Sequence, residues 1–196
     1  MILALLLAAV TPTAAATPLT AAQAEAQAAT APVARARALW GIGGNLRLAA
    51  GDSTGAARDF DHALGIIGGS DLERGELLLD LARAAQAGGD VAIADTRSAE
   101  AARLIPADPF LWYFRTTLAV SAGDVPRAKL AIAHALRLAP ADPTLLFESG
   151  HVAQLAGEES AAREAWQKAL AADPTGRSGQ LAREALGLAG VPLTVK

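Results

Sequence analysis

The residues of this chain whose types lend themselves to chemistry are three histidines, a scatter of serines and one glycine cluster. His62, His134 and His151 are of the kind that act as general bases or bind a transition metal. None of them sits in an HExxH arrangement, so no two donors share a helix face in the way a zinc site needs. The serines lack a GxSxG context, and most fall where turns and helix caps are expected. Gly41, Gly43 and Gly44 suggest a phosphate loop at first sight. The string GIGG is neither GxGxxG after a strand nor a Walker sequence, and close helix packing beside Trp40 accounts for it. With no cysteine in the chain there is no disulfide, thiolate metal site, cysteine nucleophile or lipidated N-terminal cysteine. These residues give no catalytic constellation, no metal site and no cofactor site.

Composition narrows the class further. The chain has 196 residues, 52% of them hydrophobic and 19% charged, with a net charge of −3. That suits one domain or one short repeat array with a buried core. Nothing basic is clustered or interleaved with aromatics, so no nucleic-acid partner is expected. Alanine is abundant and aromatics stand at 4%. Alanine favours helix but buries little area, so cohesion must come from close helix approach plus a few large side chains.

The elements that would position any site are set by a period. Pro106, Pro140 and Pro174 are 34 residues apart, as are Gly89, Gly123 and Gly157, and Ala101, Ala135 and Ala169. Such self-similarity is the mark of a stacked repeat. Each unit reads as two helices joined by Ala-Gly-Asp or a variant of it, with glycine ending the first helix and the acidic residue starting the second. Asp108-Pro109 and Asp142-Pro143 pair an N-cap with proline at the first helical position. Residues 60, 132 and 166 are large where their neighbours are small. The period breaks once: Ala63 to Ala101 is 38 residues. The four extra residues are about one helical turn. Ser70-Asp71-Leu72-Glu73 reads as a capping box, so the second unit's first helix is predicted to begin near Asp71, after a Gly68-Gly69 loop.

Trp40, Gly44, Gly51, Ala56, Phe60 and Ala63 of the first unit, with their counterparts in the next three, make the chain resemble a tetratricopeptide repeat array. The resemblance covers residues 37–176, in units 37–70, 75–108, 109–142 and 143–176, within a repeat region that opens at Pro32. It implies an all-α fold, a right-handed α-α superhelix, and a concave face lined by the first helices, where partner segments lie. Carried over position by position, the inward residues are Gly41, Asn45 and Leu48, then Leu79, Arg83 and Gln86. The third unit offers Phe110, Tyr113 and Thr117, and the fourth Thr144, Phe147 and His151. The binding residues expected are Asn45, Leu79, Arg83, Phe110, Tyr113, Thr117, Phe147 and His151. An aromatic cleft of this kind favours an apolar anchor in an extended or helical ligand. A second reading has Phe110, Tyr113 and Phe147 packing on one another or under the last helix. Trp112 is assigned to the core. The carboxylate clamp of chaperone-binding members is not expected, because Gly41, Asp80, Phe110 and Phe114 stand where it needs Lys, Asn, Lys and Arg, and Asn45 alone matches.

The ends complete the organisation. The apolar run from Ile2 to Val10, then Thr11-Pro12 and Ala14-Ala15-Ala16, resembles a secretory signal peptide over 1–16. It is too short to span a bilayer. No Lys or Arg precedes the run, so a buried or frayed N-terminal helix stands as the other reading. Residues 17–31, built from Ala, Thr and Gln with the single charge Glu25, are expected to form a mobile tether. Residues 177–190 carry Leu181, Ala182, Ala185, Leu186 and Leu188 on one side and read as a capping helix, started by Ser178 and stopped by Gly190 and Pro192. The expectation is an exported, non-enzymatic interaction module in the periplasm of a Gram-negative bacterium. It would bind a protein or peptide, with no membrane span once the leader is removed, as a monomer or weak homodimer. A self-associating structural repeat protein is the alternative.

Overall fold

The computed structural model describes residues 18–187, which form ten helices and no strand. Four helical hairpins follow one another: α2 (Val33–Ala49) with α3 (Ser53–Gly65), α4 (Asp71–Ala87) with α5 (Val91–Leu104), α6 (Pro109–Ser121) with α7 (Val125–Leu138), and α8 (Pro143–Leu155) with α9 (Glu159–Ala172). Two short helices flank them, α1 (Ala21–Ala28) and α10 (Arg177–Ala185). Each helix packs on the next in the chain, so the core runs as a ladder of small clusters.

Local chemistry explains the hairpins. Gly51, Gly89, Gly123 and Gly157 take φ of 83°, 86°, 71° and 75°, a left-handed conformation that side chains resist. The aspartate that follows then caps the second helix: Asp52, Asp90 and Asp124 accept from the N–H groups of Gly55, Ile93 and Arg127 at 2.8, 3.0 and 3.1 Å. Glu158, the fourth member, makes no such bond. Asp108 and Asp142 each accept from two backbone N–H groups, with proline at the first helical position.

Within a hairpin, size is matched across the helix pair. A Cβ on Gly44 would lie 2.6 Å from the Phe60 ring, and one on Gly150 would collide with Trp166. Phe60 and Trp166 are buried because glycine on the facing helix makes room for their rings. α4 begins at Asp71, where the four-residue surplus placed it, with the full Ser70/Glu73 capping box. The loop before it is pinned by Arg37, which is 7% exposed and donates to the carbonyls of Ile66 and Ile67 at 3.3 and 3.0 Å.

Both ends differ from expectation. The tether over 17–31 is corrected: residues 21–28 form α1, which docks on α2 with Ala24 and Ala28 buried. A narrow alanine stripe suffices because Gly43 on α2 lets the two backbones close, and because Glu25 pairs with Arg47. α10 stops at Ala185, with Gly187 at φ 72°, short of the predicted 190. Its N-cap is Gly176, whose N–H donates to Asp173 at 2.8 Å; Ser178 lies inside the helix, 3.2 Å from the Thr144 hydroxyl. The leader expected over 1–16 and the stop signals Gly190 and Pro192 fall outside the described residues. No helix among the described residues is long and apolar enough to cross a membrane.

Candidate peptide-binding groove

The first helices of the hairpins, α2, α4, α6 and α8, carry the eight residues marked by the repeat register. Four of them join into a continuous chain of contacts. The Asn45 amide donates to Asp80 at 3.0 Å, and Asp80 accepts from Arg83 at 2.7 Å. The Arg83 guanidinium lies 5.7 Å from the centroid of the Phe110 ring, within cation–π range. Phe110 and Tyr113 are 6.1 Å apart, tilted by 39°. Asn45, Arg83, Phe110 and Tyr113 thus link three successive hairpins.

The other four are placed differently. Phe147 is half-buried against the cluster of Trp166, Ala182 and Leu186. His151 has its Nδ1 3.5 Å from Glu148 and a side chain 41% exposed. Thr117 donates its hydroxyl to the Phe114 carbonyl within its own helix, at 2.8 Å. Leu79 is a correction: it is 5% exposed and belongs to the core cluster of Leu78, Leu111 and Phe114. It occupies the same register position as Tyr113 and Phe147, but its shorter branched side chain ends inside the cluster, whereas those longer rings reach the surface.

The two halves of the face differ in chemistry. Between α2 and α4 is a recess of about 310 Å³ whose lining includes Gly41, Ile42, Asn45, Glu76, Leu77 and Asp80. Gly41 keeps it open, since a Cβ there would already lie 3.3 Å from Leu77. Farther on, Phe110 is 46% exposed while Tyr113 is half-buried against the α6–α8 core. Burial pushes the Tyr113 phenol above its ordinary value, and the Glu148 carboxylate pushes it further. Phe110 is therefore an exposed apolar contact, with the Arg83 guanidinium and the Tyr113 ring beside it.

Two features lay outside the sequence reading. Trp40 stacks on His62 at 4.6 Å and Trp112 on His134 at 3.9 Å, ring contacts that leave His62 exposed and His134 half-buried. Trp112, assigned to the core, is half-buried, with its indole donating to the Pro106 carbonyl at 2.8 Å. The common spacing of 22 residues in both Trp/His pairs was the available signal. Among the described residues no group of His, Asp or Glu is placed to hold a metal ion.

Comparison with known proteins gives no matching family model and no matching curated protein. Solved structures do match. The crystal structure of MamA aligns at 23% identity and TM-score 0.60, over 74% of this chain and 85% of that one. YrrB, described as a TPR protein with an unusual peptide-binding site, aligns at 18% identity and TM-score 0.65, over 85% of this chain and 90% of that one. The Arabidopsis OM64 TPR domain aligns at 17% identity and TM-score 0.55, over 60% of this chain and 97% of that one. The chain has the tetratricopeptide repeat fold.

Proposed function

We propose that the chain is an exported, non-enzymatic interaction module that holds a peptide or partner segment against the concave face. The observation that carries this reading is the exposure of Phe110 between Arg83 and Tyr113. Leaving an aromatic ring half in water forgoes on the order of 1 kcal/mol or more of burial. A bulky apolar residue of a ligand would recover that burial, and aromatic and arginine residues are the types that dominate recognition surfaces. Phe147 would add a second apolar contact on the next hairpin, and the recess lined by Ile42, Asn45, Leu77 and Asp80 would receive another part of the ligand. The similarity to YrrB, described as a TPR protein with an unusual peptide-binding site, supports this reading.

Export rests on the leader pattern over 1–16, and a periplasmic address in a Gram-negative envelope, with a role in assembling envelope complexes, follows from that reading. N-terminal sequencing of the mature protein tests it; an intact Met1 would end it. For the groove, Phe110→Ala and Tyr113→Ala should each weaken capture of a partner from envelope extract by about tenfold, with helicity unchanged. Undiminished capture would refute the site, and collapse of helicity would mark the rings as core.

A further inference from the structure

α1 is eight residues long. A helix that short is not stable alone in water, so its order depends on where it docks. Three side chains hold it. Ala24 and Ala28 are buried, and the Glu25 carboxylate accepts from Arg47 Nε at 2.8 Å and from Arg58 at 3.4 Å. The receiving face is shaped for that helix: a Cβ on Gly43 would stand 3.7 Å from the Ala24 Cβ. Beneath lies Asp59, fully buried, bonded to Arg47 at 2.9 Å and to Arg58 at 3.0 Å. When α1 leaves, the charges it engages remain partnered, because Arg47 keeps Asp52 and Asp59 while Arg58 keeps Asp59. Release therefore strands no buried ion, which is the usual barrier to opening a buried pair. The link to α2 is residues 29–32, ending in Pro32.

We propose that α1 is an exchangeable clasp: the small-residue cleft at Gly43, flanked by Arg47 and Arg58, receives an alanine-rich helix bearing one carboxylate, and between molecules its occupant is α1 of a second copy. A swapped α1 makes the same contacts as a docked one, so exchange costs chiefly the entropy of association. This interaction surface does not use the concave face.

The chain has no cysteine, so Ala24→Cys with Gly43→Cys in the full chain creates a single reporter pair. The 3.7 Å Cβ separation suits a disulfide. After oxidation, a non-reducing gel should show both a cross-linked monomer and a covalent dimer. A tenfold rise in concentration should raise the dimer-to-monomer ratio about tenfold, as mass action requires. Two differently tagged batches mixed before oxidation should give mixed dimers. Cross-linking within monomers alone at every concentration, without mixed dimers, would overturn the proposal. Hydrogen exchange on the wild-type chain tests the same idea without variants. The α1 amides should exchange about a hundredfold or more faster than those of α6, by local opening. Equal protection of the two helices would show a clasp that never opens.

Discussion

The two ends of the array are closed by different physics. At the C-terminal end, α10 lays Ala182 and Leu186 onto a cluster of Trp166, Ala169 and Leu170, an apolar closure. At the N-terminal end, α1 buries two alanines and relies on Glu25, which meets Arg47 and Arg58 above the buried Asp59. Apolar burial carries no charge for salt to screen or protons to neutralise, because it acts by removing surface from water. An ion pair whose side chains keep about a quarter of their surface in water, as Glu25 and Arg47 do, is weakened by salt and lost when the carboxylate is protonated. One end is therefore sealed and the other conditional, although both cover an exposed repeat edge.

Trp166→Ala gives the largest test of this contrast. It should cost about 3–5 kcal/mol, since it empties the space that Gly150 leaves for the ring, and chemical denaturation will read it. Leu186→Ala comes next, at about 2 kcal/mol, with early loss of α10 in hydrogen exchange. Glu25→Gln should change global stability by less than ~1 kcal/mol while speeding exchange of the α1 amides. A global loss as large as that from Leu186→Ala would erase the distinction between the ends. The smallest effect is a pH dependence. The hydrogen bond from Arg47 holds the Glu25 carboxyl below its ordinary value of 4.5, so the charged form is favoured when α1 is docked. That stabilisation is present above the ordinary value and is lost as pH falls through the lowered one. The protection factors of the α1 amides should therefore fall only below about pH 4.5, and raising salt at neutral pH should lower them in the same direction.

How much was legible in the sequence follows from the range of each interaction. The Gly-Asp turns, the Asp-Pro helix starts and the Ser70 capping box each act over three or four residues, so their types and spacing are nearly sufficient. Which side chains on the first helices would meet was legible as far as register carries. Asn45, Arg83, Phe110 and Tyr113 came together, because the period fixes which position faces inward. Leu79 occupies the same register and is buried, since the depth a side chain reaches depends on its length and on the neighbours above it. The stacking of His62 and His134 on tryptophans was missed because it joins the two helices of a hairpin, across 22 residues.

By itself the sequence determined where the helices of the four hairpins turn and restart, that they pair as hairpins, and that the hairpins repeat, because caps, turns and periodicity are local physical rules. Only the tertiary structure decided that residues 21–28 dock as a helix, that Leu79 turns inward, and that Arg47 gathers Glu25, Asp52 and Asp59. Each of those outcomes depends on which surfaces meet across distant parts of the chain. An alanine stripe or a lone glutamate has no preferred partner until Gly43 and two arginines are brought opposite it.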